Sequence, residues 1–173
     1  TRHRVAFQRK LSDQPLMRSV LGDLALEREA MLALGMRLAA AFDRAGSDEE
    51  EAAFARLITP VAKLWVCKSA PQFVYETMEC HGGNGYVEEW PLARYFREAP
   101  VNAIWEGSGN IMALDLLRGA AREQQGMERL LTSLEQSAGD LPGGRAAVEH
   151  VKQGLLDPRR EGLARRTGEL LAI

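Results

Sequence analysis

Hydrophobic positions recur at helical spacing almost from end to end of this chain. From Met17 they continue through Val20, Leu21, Leu24, Met31, Leu34, Leu38 and Phe42. Most steps are three, four or seven residues, the period of one apolar face on a helix. Pro15 suits a first helical turn and Gly46 a stop, which predicts one long amphipathic helix over about 15–45. "SDEE" follows and reads as a capping box, with Ser47 as the cap and Glu50 three residues on. A second helix then carries Phe54, Leu57, Ile58, Val61, Leu64 and Trp65 on one face. Pro60 and Pro71 predict a kink or a split within it. His81-Gly82-Gly83 closes it, residues 82–91 read as a loop, and "PLARYFREA" is a short helix behind Pro91. Ser108 caps a third main helix bearing Ile111, Leu114, Leu117 and Ala121. Shorter helical pieces follow over about 127–138, 144–156 and 159–172, and "GDLPGG" is the clearest break among them. No useful β-alternation and no internal repeat interrupts this pattern. Long helices with short connections predict an all-α fold: an antiparallel four-helix bundle over 1–125, with 126–173 packing on it or extending it.

Composition narrows the class. At 173 residues, 46% hydrophobic and 27% charged, the chain has material for one core of ordinary composition. A formal net charge of -2 gives no global basic field for nucleic acid. Arg145, Lys152, Arg159, Arg160, Arg165 and Arg166 make the tail locally basic, but Glu149, Asp157, Glu161 and Glu169 dilute it into a solvated helix face. Cys67 and Cys80 fit no metal or redox spacing and read as free thiols in a reducing, cytoplasmic compartment. His3, His81 and His150 lie far apart, so no metal is expected. No apolar run approaches the roughly 18–20 residues of a membrane span. "TRHRVAF" at the start lacks an initiator Met and "GELLAI" stops inside a helical pattern, which predicts a piece of a longer protein.

Three stretches could carry chemistry. "VNAIWEGSGNI" sets one carboxylate, Glu106, behind Ile104 and Trp105 and just ahead of a helix start. Apolar neighbours disfavour a charged carboxylate, making Glu106 a candidate general base near neutral pH, while the positive helix end works the other way. "HGGNGY" has three glycines that let a backbone approach a ligand closely, although a helix precedes it and it matches no dinucleotide fingerprint. In "RVAF", Arg4 and Phe7 would share one face if the segment is helical, and could hold a phosphate and an aromatic ring. Judged singly, a helix-start glutamate, a tight interhelical turn and a surface arginine beside core are the simpler readings.

Together and in this order, "R..F", "GGNGY" and "WEGSGNI" resemble the C-terminal helical domain of the acyl-CoA dehydrogenase family. "LSDQPLMRSVL", "ITPVAKLWVCK" and "APVNAIWEGSGNIMALDLLR" look most like its alkylation-response, or AidB, branch. The likeness is dense over roughly 1–122 and loose beyond. It implies an N-terminal helical domain and a middle β-domain ahead of this one, assembly as a dimer or tetramer, and FAD as cofactor. It implies that Glu106 removes the α-proton of an acyl-CoA thioester, with Trp105 in place of the usual tyrosine and Gly107 beside the substrate. Ser108 and Asn110 stand where a threonine and a glutamine touch the flavin cofactor. Arg4 and Phe7 match a pair that binds the partner subunit's FAD. Glu79 takes the place of a glutamine reaching that same FAD, and Gly82 and Gly83 align directly. Ile104 and Trp105 would then keep water from the base. Two departures stand out: Gln8 replaces a glycine after "R..F", and Glu79 puts a carboxylate where the family has a neutral amide. The alkylation-response branch shares the fold and flavin binding but shows little dehydrogenase activity and is associated with DNA. Acyl-CoA and, in the parent protein, DNA are therefore the expected partners. Acting alone, the piece would be an assembly module.

Overall fold

The computed structural model describes residues 2–138, 140–156 and 161–172. Helix α1 spans Pro15–Arg44 and α2 Glu49–Glu79. Short helices α3 (Gly83–Tyr86) and α4 (Pro91–Glu98) and a 3-10 turn at Ala99–Ala103 lead to α5 (Gly109–Arg122). Helices α6 (Gln124–Ala138), α7 (Gly144–Leu156) and α8 (Glu161–Ala172) complete the described chain. The architecture is all-helical, as the periodicity predicts, apart from a small N-terminal hairpin.

Helix α2 is the axis of the molecule. Leu57, Ile58 and Val61 share a core with Leu116 of α5, Met127 of α6, Val151 of α7 and Leu171 and Ala172 of α8. Leu64, Ala113 and Ala164 form a second cluster further along. A Cβ on Gly109 would meet Leu64 Cδ1 at 3.2 Å, while one on Gly119 would meet Leu57 Cδ2 at 3.4 Å. As α5 advances, its contacts on α2 therefore retreat, so the two helices run antiparallel. Arg56 of α2 clasps Asp115 of α5 through two hydrogen bonds, at 2.9 and 3.0 Å. Helix α1 joins α2 by a short turn and lies against it along the half-buried line of Met17, Val20, Leu24, Met31, Leu34 and Leu38. Arg37 of α1 stacks 3.8 Å from the Phe54 ring centroid and also pairs with Glu51.

Several sequence expectations are corrected by local physics. The α2 cap is Asp48, whose Oδ1 accepts from Glu50 N at 2.9 Å and Glu51 N at 3.3 Å. Ser47 instead closes the end of α1, its N–H and hydroxyl both donating to the Arg44 carbonyl. Pro60 and Pro71 lie inside α2 without splitting it. An internal proline costs about 3 kcal/mol. Burial of Leu57, Ile58, Val61 and Leu64 on the same helix, at about 1.5–3 kcal/mol each, exceeds that. The glycine stretch predicted as loop holds one helical turn, α3. The buried face of α5 is Gly109, Ala113, Leu116 and Gly119, a step away from the larger side chains; Ile111 stays exposed. The small residues face inward because α5 lies so close to α2.

Arg4 and Phe7 do not share a helix face. Val5–Ala6 and Arg9–Lys10 pair antiparallel, Val5 opposite Lys10 and Ala6 opposite Arg9. Phe7 and Gln8 make the turn at φ 53° and 66°, the double positive φ of a two-residue hairpin. Such turns favour Asn-Gly, so Phe-Gln gives no warning of one. In the tail, Asp157, Arg159 and Arg160, and with them the expected start of the last helix, lie outside the described residues, as does the Glu161 side chain. Lys152 pairs with Glu135, and Arg165 with Glu169 at 3.5 Å.

Candidate functional site

The turn that carries Glu106 is built against the middle of α2. Its backbone folds on itself, with Ile104 N and Trp105 N both donating to the Val101 carbonyl, at 2.9 and 3.1 Å. Glu106 then adopts φ 51° and Gly107 φ 109°. Only glycine takes such values freely, and a non-glycine residue there costs about 1–2 kcal/mol. The compensation comes from Lys63 of α2. Its Nζ donates to Trp105 O at 2.7 Å and to Asn102 O at 3.1 Å. Hydrogen bonds from a charged donor contribute about 1.5–3 kcal/mol each, enough to offset the strain. Beneath the turn, Lys63, Leu64, Lys68, Ala103, Gly107, Gly109 and Met112 close a crevice with no room for water. A Cβ on Gly107 would stand 2.3 Å from Met112 Cε, and one on Gly109 2.9 Å from Lys68 Cε. The positive φ of Gly107 demands glycine, while Gly109 lets α5 approach Leu64 closely.

The far side of the turn is open. Ile104 and Trp105 are 67% and 58% exposed, and Glu106, Ser108 and Asn110 are exposed as well. The expectation that Ile104 and Trp105 dry the carboxylate is therefore not met by the described residues. They form an apolar outer surface next to it, continuous in sequence with exposed Val101 and Ile111. Ser108 sits at the N-cap of α5 in extended conformation, yet its hydroxyl makes no capping bond; only its carbonyl is used, by Met112 N at 2.9 Å. The exposed Ser108 thus stands at the positive end of a helix whose first N–H groups its side chain does not cap.

A second group gathers at the C-terminus of α2. Arg4 Nη1 donates to His81 O at 3.4 Å and lies 3.0 Å from where a Cβ of Gly82 would stand. Gly82, at φ 61°, is what lets the guanidinium approach. Gly83 opens α3, and Gly85 lies so close to Met78 that a Cβ would fall 2.3 Å from its carbonyl oxygen. Phe7 projects from the hairpin, 91% exposed. Glu79 accepts from the Tyr75 hydroxyl at 3.2 Å, and that bond leads the causes holding the Tyr75 phenol above its ordinary value. Burial, with Glu76 and Glu79 nearby, likewise raises the Cys80 thiol. The structure thus brings Arg4 to Gly82, and Trp105, Gly107 and Ser108 to Glu106. It keeps the two groups apart: Lys68 and Glu79 are about 16 Å apart along α2 at 1.5 Å per residue.

A cleft of about 580 Å³ lies elsewhere, between α1, α2 and α6, and is lined by charged side chains including Arg37, Glu50, Glu51, Arg122 and Arg129. It opens at the C-terminal end of α5, remote from Glu106, and its Arg–Glu pairs hold helices together. Among the described residues no three His, Cys, Asp or Glu side chains gather as a metal site, and no helix is long and apolar enough to cross a membrane. Sequence reasoning missed Lys63, Lys68 and Met112. A lysine reaching across some forty positions leaves no local pattern; only the glycine at 107 hinted that something presses on the turn.

The fold is a helical domain in which α2 packs against α5, with the Glu106 turn held between them. Residues 1–121 match the family described as acyl-CoA dehydrogenase, C-terminal domain, and the chain belongs to that family. It is 48% identical to AidB of Escherichia coli (strain K12) over 160 residues, covering 91% of this chain and 29% of AidB. The solved structure Bd2924 in its apo-form superposes with a TM-score of 0.85 at 28% identity, over 98% of this chain and 34% of that one. Caenorhabditis elegans ACDH-11 in complex with C11-CoA superposes with a TM-score of 0.75 at 27% identity, over 99% of this chain and 33% of that one. The chain thus spans about a third or less of the proteins it matches.

Proposed function

We propose that this chain is the C-terminal helical domain of an FAD-dependent flavoprotein acting on acyl-CoA thioesters, with Glu106 as the base for the α-proton. The observation that carries the reading is the Glu106 turn: a strained carboxylate-bearing loop, packed dry on its inner side, aimed outward beside an exposed tryptophan at a helix start. Strain kept in an otherwise well-packed fold concentrates at working sites. The C11-CoA complex of ACDH-11 supports an acyl-CoA ligand.

The residues present fit FAD. Arg4 beside Gly82 offers a fork for a phosphate, Phe7 an uncovered ring for stacking, and Ser108 and Asn110 polar groups at the positive end of α5. FAD, when bound, supplies a two-electron acceptor. The protein's own part is the proton: the Glu106 carboxylate accepts it, and Trp105 with Ile104 forms the apolar wall against which an acyl chain and a neighbouring domain exclude water. The separation of the two groups along α2 suits a cofactor shared between copies, so the parent assembles as a dimer or tetramer. Assayed in the full-length protein with a dye acceptor and a panel of acyl-CoAs, Glu106→Gln should lower turnover about 100-fold or more. Equal turnover in the variant would reject the reading.

The 48% identity to AidB favours a second reading, a damage-response flavoprotein that binds DNA and uses its flavin weakly. Duplex affinity should then fall with salt at a log–log slope near −0.9 per phosphate neutralised. A flat response removes it.

A further inference from the structure

The structure assigns Lys63 the role of a positioning residue that holds the Glu106 turn in its working conformation; this rests on Glu106 being the base. Lys63 lies at the middle of α2, facing the 3-10 segment Ala99–Ala103, half-buried, with Leu64 beside it in the core. Its ammonium bonds two carbonyls that flank the turn, Asn102 O and Trp105 O. The shorter contact, 2.7 Å, falls on the carbonyl of the Trp105–Glu106 peptide. Fixing that plane fixes the direction in which the next residue leaves it. Glu106 leaves at φ 51°, a conformation its own side chain disfavours, so something outside the turn must select it. Leu64, Met112 and Lys68 pack the floor but touch the glycines; Lys63 alone among these bonds the peptide that carries the acid. A lysine is suited to this, having three donors and enough reach to span from a helix to a loop. Without it two carbonyls of the turn lose their donor, and the carboxylate swings with the peptide. A base displaced by about 1 Å can lose on the order of 100-fold in rate without any change in its chemistry.

The test uses the full-length protein with Lys63→Met, Lys63→Arg and Glu106→Gln. Amide hydrogen exchange over 103–108 should speed up in Lys63→Met and stay near native in Lys63→Arg, whatever the protein's activity. In the dye-coupled assay, Lys63→Met should lower kcat about 10- to 100-fold with KM little changed, and Lys63→Arg should recover part of the loss. Should Lys63→Met not fold, Lys63→Ala takes its place, since alanine is the best helix former. Native exchange and native kcat in a folded variant lacking the ammonium would overturn the assignment. If Glu106→Gln keeps full activity, it is the base reading that fails, and the exchange comparison still decides whether Lys63 holds the turn.

Discussion

Glu106 pays for its position in backbone strain, and that strain is measurable. At φ 51° a glycine would sit freely, so Glu106→Gly should raise stability by up to about 1 kcal/mol in urea unfolding, while Glu106→Gln leaves it near native. A stabilising loss of the acid is the mark of a residue retained for what it does; destabilisation by Glu106→Gly would mean the turn prefers its side chain. The contrast with Gly107 is instructive. There the positive φ demands glycine, so the residue is explained by its backbone conformation alone. Of the two, only Glu106 needs a further reason.

Between helices, the account rests on a few cross-links whose worth can be ranked. The Arg56–Asp115 clasp joins α2 to α5, and Asp115 is the main reason the Arg56 guanidinium is held above its ordinary value. Both groups are about a third exposed, so a double-mutant cycle should return only about 0.5–1 kcal/mol of coupling. The Glu51 carboxylate, joining α2 to α1, is held below its ordinary 4.5, first by its hydrogen bond from Arg37 and then by Arg44. A carboxylate depressed on folding contributes stability above its unfolded value and loses it as pH falls through the folded one. Acid unfolding should therefore begin below pH 4.5, and Glu51→Gln should weaken that pH dependence. Element boundaries were legible where punctuation and periodicity agreed: Pro15 starts α1, Pro91 starts α4, and Ser108 precedes α5. They were misjudged where tertiary packing overrode a local rule. Pro60 is buried within an α2 that runs unbroken through both prolines, and the Phe7-Gln8 turn has none of the usual hairpin residues.

Across the whole molecule, two sides of the bundle differ in kind. The interior joins α2 to every helix from α5 to α8, so the last third of the described chain shares one core with the rest. The outside carries uncovered apolar side chains in and beside the Glu106 turn, among them Val101, Ile104, Trp105 and Ile111. The order of motifs made the family readable, because Arg4, Gly82 and Glu106 sit in separate stretches whose joint spacing is hard to reach by chance. The dryness expected around Glu106 was not readable, since a sequence shows which apolar residues adjoin an acid but not whether anything covers them. That cover must come from beyond these helices if Glu106 is to work as a base. The direct measurement is the absorption spectrum of the purified full-length protein, mixed anaerobically with acyl-CoA thioesters. The flavin band should bleach in the native protein and persist in Glu106→Gln; bleaching at the native rate in the variant would contradict the assignment of the base.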